Sequence, residues 1–179
     1  MDHFGWPGEI KMRDVEQFLE PRAKGPTEKQ PKLTQTSIDN LTIALQQLKA
    51  MGVNPNVKGQ NYFADISNGF KHKETGQSSM TVTELVPCLA RTRCATGGHW
   101  SFSRQRFLTT EEMYKLMNIP PDRIKQPIGV SPRQIKQMFG NANDVLLLSR
   151  ILIRVLVTSN ILTPAEAGED PHGIESVAE

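Results

Sequence analysis

The feature that most constrains the fold is a nearly continuous apolar stretch, VLLLSRILIRVLV, at residues 145–157. In a helix its aliphatic side chains would occupy almost every face, which is typical of a helix covered on several sides. Asn143 or Asp144 offers an N-cap for that helix. The stretch contains Arg150 and Arg154 and is shorter than the roughly 20 residues that span a bilayer. The sequence therefore predicts a core helix and no contact with a membrane.

A shorter helix is predicted immediately before this stretch, in SPRQIKQMFGNAND. Its first turn combines a capping box with a proline at the first helical position, in Ser131, Pro132 and Gln134. Ile135 and Met138 are expected to face the core. Gly140 is expected to end the helix because glycine adopts positive φ without steric cost. The sequence thus predicts a tight break at Asn141 and Ala142 between two helices.

Another helix and an irregular region lie earlier in the chain. TSIDNLTIALQQLKAMG predicts a helix with Thr36 or Ser37 as N-cap and Gly52 as its end. The predicted apolar face comprises Ile38, Leu41, Leu45, Leu48 and Met51. Residues 53–100 mix β-branched and aromatic residues with Gly and Asn turns, which predicts short strands and loops.

LTTEEMYKLMNIPP predicts a further helix, with Thr109 at the N-cap and Glu112 completing a capping box. The apolar residues expected to be buried are Met113, Leu116 and Met117, and Pro120 ends the pattern. PRAKGPTEKQPK indicates a flexible linker at about residues 21–33. Residues 161–179 contain several acids and no Lys or Arg, which indicates a disordered tail.

Charge is distributed unevenly along the chain. The 21 Lys and Arg residues against 19 Asp and Glu give a formal net charge of +2, so composition alone does not indicate a nucleic-acid-binding protein. No carboxylate lies between Glu84 and Glu111, and that segment contains a cationic and aromatic cluster: Arg91, Arg93, His99, Trp100, Arg104 and Arg106. The cluster is either a solvated loop or a surface that contacts phosphates.

The two cysteines, Cys88 and Cys94, are too few for a disulfide framework, and no secretory signal follows Met1. We therefore expect a reducing compartment, the nucleus or the cytoplasm. Together with His72 and His99, the cysteines match no paired spacing of zinc ligands, so no metal site is predicted.

Two segments resemble motifs of the DNA (cytosine-5) methyltransferases. RFLTTEEMYKLMNIP is similar to motif IX of that family, an Arg-x-Leu-Thr-x-x-Glu-x-x-x-Leu pattern followed by Pro. The matching residues are Arg106, Leu108, Thr109, Glu112, Leu116 and Pro120. QIKQMFGNAND is similar to motif X, a Gln-x-x-Gly-Asn-Ala stretch that precedes the final helix. The matching residues are Gln137, Gly140, Asn141 and Ala142.

Motif X of that family helps to form the S-adenosylmethionine pocket. The resemblance therefore assigns cofactor binding to Gly140, Asn141 and Ala142. The family's Phe-x-Gly-x-Gly loop and Glu-Asn-Val motif have no counterpart here. Pro87 and Cys88 resemble part of its catalytic Pro-Cys-Gln, but Leu89 follows and the spacing to the motif IX segment is far too short. No catalytic residue is predicted.

The resemblance implies an α/β fold class: a C-terminal fragment of an S-adenosylmethionine-dependent methyltransferase fold, with a small mixed α+β target recognition region and a terminal helical segment. It places the target recognition region at residues 1–105, the helical segment that returns to the catalytic domain at residues 106–160, and the tail at residues 161–179. Contacts with phosphates or with a flipped-out nucleotide are expected from Arg91, Arg93, His99, Trp100 and Arg104. Arg106 is expected to be structural.

The leading hypothesis is a chain that supplies DNA target recognition and one wall of the cofactor pocket, inactive alone, with a separate chain carrying the N-terminal catalytic half. Without the strands of that half, helix 145–157 lacks its cover, so we expect aggregation or partial folding in isolation. Two alternatives remain. One is a non-catalytic module, a decayed paralogue or one subunit of a split enzyme, that binds nucleic acid or a protein partner. The other is an RNA cytosine-5 methyltransferase, which TRCATGG weakly resembles.

Overall fold

The computed structural model describes residues 14–21, 26, 28–55, 57, 60–67, 82–97, 99–120, 122 and 129–168. They fall in two compact units, one spanning Val15–Ala142 and one that contains Asp14 and residues 143–168. Helices and a small antiparallel sheet make up the described residues, which is a mixed α/β architecture as predicted.

The larger unit carries four helices and three strands in its described residues. After a 3-10 turn at Val15–Gln17, the helices are α1 (Gln35–Ala50), α2 (Arg91–Thr96), α3 (Thr110–Leu116) and α4 (Pro132–Phe139). The strands are β1 (Phe63–Asp65), β2 (His99–Ser101) and β3 (Arg106–Phe107), which form one antiparallel sheet in the order β1-β2-β3. The other unit contains α5 (Val145–Thr158) and α6 (Pro164–Ala167).

The sheet joins segments that the predicted domain boundary separates. In β1 and β2, Ala64 pairs with Trp100, and in β2 and β3, Trp100 pairs with Phe107. The boundary predicted after residue 105 falls in the turn between β2 and β3, so both of its sides belong to one compact unit. The division of function between residues 1–105 and 106–160 remains a prediction.

Two hydrophobic clusters lie on opposite faces of this sheet, because successive side chains of a strand alternate in direction. Ala64 belongs to the cluster under α1, with Ala44, Leu48, Tyr62, Ile66, Val82, Phe102 and Phe107. Phe63 belongs to the cluster formed with α2, α3 and α4, which contains Leu19, Cys94, Leu108, Met113, Met117, Ile135 and Phe139. The sheet therefore separates α1 from the three short helices.

Helix α1 begins earlier than predicted and buries a different face. Its N-cap is Thr34, whose hydroxyl accepts a hydrogen bond from the Ser37 N–H at 3.2 Å. The buried residues are Ser37, Asn40, Ala44 and Leu48, whereas Ile38, Leu45 and Met51 are exposed. Asn40 tolerates burial because its Nδ2 donates to the Ile66 carbonyl at 3.0 Å. The prediction of an aliphatic face was wrong at these three positions, since small and hydrogen-bonded side chains make the contact.

Both predicted capping boxes at α3 and α4 are confirmed. In α3, Met113 and Met117 are buried as predicted. In α4, Ile135 is buried as predicted, but Met138 is exposed and Phe139 takes the inward position. The Phe139 ring lies edge-on to Tyr114, with ring centroids 4.7 Å apart, so the aromatic contact with α3 sets the rotation of α4.

Gly140 ends α4 as predicted, but for a different reason. Its φ is −70°, in the ordinary right-handed region. A Cβ built at this position would lie 1.8 Å from the Arg91 backbone nitrogen and 2.1 Å from the Arg91 Cα. Glycine is therefore required because the end of α4 packs directly on the backbone at the start of α2. Helix α2 lies in a segment where the sequence predicts short strands and loops, so that prediction was wrong there.

The predicted bounds of α5 are confirmed, and Asp144 is its N-cap, with its carboxylate accepting from the Leu147 N–H at 2.8 Å. The predicted burial of this helix is not observed. Six aliphatic side chains are 38–50% exposed: Val145, Leu147, Leu148, Leu152, Ile153 and Val155. Within its own unit, the described residues thus do not provide the cover that such a helix needs. None of the described helices is both long enough and apolar enough to cross a membrane.

The predicted disordered tail begins later than expected. Thr163 and Glu166 form a further capping box with Pro164 at the first helical position, so α6 is helical where disorder was predicted. Residues 169–179 lie outside the described residues, as do residues 22–25 and 27 of the predicted linker.

Replacing Gly140 by Ala tests the contact between α4 and α2. We expect Gly140→Ala to lower the free energy of unfolding by about 3 kcal/mol, because the methyl group must push two backbone segments apart. Gly52→Ala is the control, since its Cβ would meet nothing within 4 Å although its φ is +71°. That control should cost about 1–2 kcal/mol for the left-handed conformation alone. Urea unfolding measures both, and equal losses would contradict the close contact.

Candidate functional site

The segment that resembles motif IX is held by a buried ion pair. Arg106 on β3 donates from Nη1 to Glu112 Oε2 at 2.8 Å and from Nη2 to Glu112 Oε1 at 2.7 Å. This two-pronged geometry is the strongest form of an Arg–carboxylate contact. Because Glu112 belongs to the first turn of α3, the pair ties the sheet to that helix. Arg106 also donates to the Phe107 carbonyl at 3.0 Å.

The Glu112 carboxylate is saturated with hydrogen-bond donors. Besides the two from Arg106, it accepts from the Thr109 N–H at 2.9 Å and from the Glu20 N–H at 2.7 Å. The Thr109 hydroxyl donates to Glu20 Oε1 at 3.2 Å, and Glu20 Oε2 lies 3.6 Å from Arg106 Nη2. The motif-like residues Arg106, Leu108, Thr109 and Glu112 are all buried. Their pattern therefore encodes a structural network, which agrees with the expected structural role of Arg106.

The electrostatics of the pair follow from burial and hydrogen bonding together. Burial acts to raise the pKa of the Glu112 carboxyl, but the hydrogen bonds from Arg106, Thr109 and Glu20 outweigh it and hold that pKa below its ordinary value. Burial acts to lower the pKa of Arg106, and the hydrogen bond and charge of Glu112 raise it above the ordinary value. Both groups therefore remain charged at neutral pH.

A second ion pair connects the two motif-like segments. Glu28 Oε1 accepts from Lys136 Nζ on α4, and Glu28 Oε2 accepts from the Thr110 N–H at 3.1 Å and the Thr110 hydroxyl at 2.6 Å. Lys136 Nζ also donates to the Leu108 carbonyl at 3.2 Å. Glu28 thus holds α4 against the start of α3. It also anchors part of the segment that was predicted to be a flexible linker.

The residues predicted to contact nucleic acid do not form one surface. Arg91 is exposed at the start of α2, and Arg93 is partly exposed while its Nε lies 3.0 Å from Asp65 Oδ2. The Arg104 side chain is only 2% exposed; it pairs with Glu16 at 2.7 Å and its Nε donates to the Glu20 carbonyl at 2.8 Å. The structure thus leaves Arg91 and Arg93 accessible to a ligand and turns Arg104 inward.

His99 and Trp100 complete that predicted set, and both have structural contacts. Trp100 is half-buried, with its ring edge-on to Phe107 at 5.3 Å between centroids. His99 is fully buried, and its Nε2 lies 3.0 Å from the Cys88 carbonyl oxygen. Because a carbonyl only accepts, Nε2 carries the proton and Nδ1 is left as an acceptor without a partner among the described residues. Burial lowers the pKa of His99, more than the Cys88 hydrogen bond raises it.

The residues that the resemblance assigns to the cofactor lie on a turn. Gly140 is half-buried against α2, whereas Asn141 and Ala142 are exposed. The Asn141 N–H donates to the Met138 carbonyl at 3.0 Å, and the Ala142 N–H donates to the Phe139 carbonyl at 3.1 Å. The turn therefore lies at the surface of the protein, and none of its three residues lines the cavity described below.

A cavity of about 500 Å³ lies between α4, the end of α2 and the extended segment before α1. Its lining includes Glu28, Lys29, Gln30, Lys32, Arg133 and Lys136. The sequence does not reveal this site, because its cations come from two segments roughly a hundred residues apart and only the fold brings them together. The lysines of PTEKQPK are the signal that the sequence contains, and the pattern around them predicts a linker.

The two thiols differ in exposure. Cys94 is buried, which raises the pKa of its thiol to about 11, and Cys88 is exposed. Among the described residues, no group of three or more His, Cys, Asp or Glu side chains is placed to hold a metal ion. His72 lies outside the described residues.

Compared with protein families, curated proteins and solved structures, the chain matches none.

The buried pair predicts a large effect at Glu112. We expect Glu112→Gln to lower the free energy of unfolding by about 3–5 kcal/mol, because the buried Arg106 would lose its bidentate counter-charge and keep only the Glu20 carboxylate at 3.6 Å. Glu111→Gln is the matched control: its carboxylate lies 3.0 Å from Lys115 in a partly exposed contact four residues along the helix. It should cost about 0.5 kcal/mol or less. Urea unfolding measures the free energy of unfolding of both variants. Similar decreases for the two would contradict a dominant role for the buried pair.

The same pair predicts how stability depends on pH. The pKa of Glu112 is lower in the folded state than the ordinary value of about 4.3. Its stabilisation is therefore complete above that value, and is lost as the pH falls below it towards the folded-state pKa. We expect the difference in unfolding free energy between the wild type and Glu112→Gln to narrow as the pH falls below about 4.3. Urea unfolding at a series of pH values from neutral to acidic measures this difference. If the difference did not depend on pH, the charge of Glu112 would not be the source of the stabilisation.

Proposed function

We propose that this chain is the C-terminal part of a DNA (cytosine-5) methyltransferase, where it supplies target recognition and one wall of the S-adenosylmethionine pocket. The observation that carries the proposal is the contact between Gly140 and the backbone of Arg91. It joins the first residue assigned to the cofactor to an exposed cation of the predicted recognition region. An enzyme that methylates a base needs the methyl donor and the target held at neighbouring positions.

The link between the two motif-like segments gives further support. Lys136 lies on the helix that leads into the motif X-like turn, and it donates to the carbonyl of Leu108 within the motif IX-like segment. Glu28 contacts both segments as well. Two segments that act together in positioning a cofactor and a target are expected to be packed as one rigid unit, and these contacts provide such packing.

The exposed apolar residues of α5 support the proposal that the complete enzyme contains a second polypeptide. Covering a Leu, Ile or Val side chain contributes about 1.5–3 kcal/mol, so six partly exposed aliphatic side chains on one helix represent a large unused driving force. In the proposed enzyme, the sheet of the catalytic half would cover this helix. That half would also carry the Phe-x-Gly-x-Gly, Pro-Cys-Gln and Glu-Asn-Val segments.

The chemistry of the family divides between the two parts. In the complete reaction a cysteine thiolate adds to cytosine C6, C5 is methylated, and removal of the C5 proton releases the cysteine. S-adenosylmethionine supplies the methyl group when bound. Within this chain, Asn141 and Ala142 present an exposed turn rather than a cavity, which fits one wall of a pocket that the other half completes. Arg91 and Arg93 would hold phosphates of the target strand.

A protein-binding module without catalysis is the second candidate, because the exposed face of α5 would also fit a partner that carries no methyltransferase chemistry. The two candidates differ in what the partner contains. A partner with a Pro-Cys-Gln segment favours the enzyme, and one without it favours the module.

We expect the isolated chain to transfer no methyl groups from tritium-labelled S-adenosylmethionine to duplex DNA or structured RNA. Joined to a catalytic half from a cytosine-5 methyltransferase, it should label cytosine. In that complex, Asn141→Ala should raise the KM for the cofactor about tenfold, which corresponds to the loss of one hydrogen bond of about 1.4 kcal/mol. The adjacent exposed Asn143→Ala is the matched control and should change it little.

Two outcomes would contradict the proposal. Labelling by the isolated chain would place catalytic residues within it. Equal effects of Asn141→Ala and Asn143→Ala on the KM for the cofactor would remove the motif X-like turn from the pocket. Comparing DNA with RNA at one salt concentration separates the two substrates, because affinity for either depends steeply on salt.

A further inference from the structure

The cavity beside α4 has a strongly cationic lining. Lys29 and Lys32 come from the extended segment before α1, and Arg133 and Lys136 come from the first turns of α4. One carboxylate, that of Glu28, faces these four cations in the lining. Like charges that share a concave surface raise its positive potential, and a bound anion would relieve their repulsion.

Three of these cations are available to a ligand. Lys136 is buried and pairs with Glu28. Lys29, Lys32 and Arg133 are exposed, and within the part of the chain that the structure describes no carboxylate pairs with them. The N-terminus of α4 lies at the same wall and adds the positive end of a helix dipole.

Gln30 adds a second and independent feature to the cavity. It lines the cavity, and both its Nε2 and its Oε1 are buried without a hydrogen-bond partner among the described residues. Leaving a buried polar group unpaired costs about 1–3 kcal/mol. Both atoms have almost no accessible surface in this arrangement, so a ligand reaches them only when the Gln30 side chain turns into the cavity. The edge of a nucleobase, which offers an acceptor and a donor side by side, would then satisfy both atoms.

The wall that carries these groups is firmly packed. Gly97 lies at the cavity, where an added Cβ would come within 2.9 Å of Pro31 Cγ and 3.3 Å of the Phe107 ring. Pro31 therefore packs closely on Gly97 at the end of α2, and Gln30 and Lys32 lie on either side of it in the chain. The cavity volume of about 500 Å³ is within the range of small-molecule sites.

We propose that this cavity is a nucleotide-binding site, in which Lys29, Lys32 and Arg133 bind a phosphate group and Gln30 contacts the edge of the base. The site is separate from the motif X-like turn, and the proposal does not rest on methyltransferase activity. The shared chemistry is a phosphate next to a base. Its source is either a free mononucleotide or a nucleotide within a single strand of nucleic acid.

Calorimetry with the full chain tests the proposal, using adenosine monophosphate, inorganic phosphate and a short oligothymidylate as probes. The double variant Lys32→Ser/Arg133→Ser should weaken binding of the nucleotide probes at least about tenfold, the loss expected when charge-assisted hydrogen bonds are removed. Lys49→Ser/Arg154→Ser is the matched control, because it removes the same charge from exposed positions outside the cavity. It should change binding less than about twofold.

Gln30→Leu separates the contact with the base from the contact with the phosphate. This variant should weaken the binding of adenosine monophosphate and leave the binding of inorganic phosphate unchanged. Tighter binding of the oligothymidylate than of the mononucleotide identifies a strand as the source, and the reverse identifies a free nucleotide. Failure of all three probes to bind the wild type would overturn the proposal. Equal weakening by the two double variants would also overturn it, because the attraction would then come from diffuse surface charge.

Discussion

The larger unit depends on the contact between Arg106 and Glu112, because it is the point where the sheet, α3 and the N-terminal segment meet. Five donors converge on two carboxylates: the two guanidinium nitrogens, the Thr109 hydroxyl, and the backbone N–H groups of Thr109 and Glu20. Removing a carboxylate from water is costly, and only such complete hydrogen bonding compensates for it. The network therefore stabilises one arrangement of these elements and disfavours others.

Local sequence patterns predicted the helix starts that are capped by nearby side chains. The starts of α3, α4 and α5 were predicted correctly because each is encoded by side chains that bond to the backbone a few residues away. Such contacts are visible in the sequence since both partners lie within one turn. The inward face of α1 was not predictable in this way. It depends on Asn40 reaching the carbonyl of Ile66, a contact across 26 positions of the chain.

The residues of the candidate sites also differ in whether their partners lie nearby or far away in the sequence. The structural role expected for Arg106 agrees with the network, because its partner Glu112 is six positions away. The sequence does not predict that the Arg104 side chain is buried, because its partners Glu16 and Glu20 lie in the distant N-terminal segment. The sequence could identify cations but not which of them the fold neutralises. For the same reason the cavity beside α4, built from two separated groups of cations, had no linear pattern that would reveal it.

The contact of Gly140 with Arg91 has a mechanical consequence. Helices that meet through side chains can slide by about an ångström as rotamers adjust, but here a glycine leaves main chain resting on main chain. No side-chain rearrangement can relax this contact, so the start of α2 and the end of α4 cannot approach each other further. The exposed Arg91 and the exposed Asn141 turn therefore share one stiff junction, although they lie on different helices.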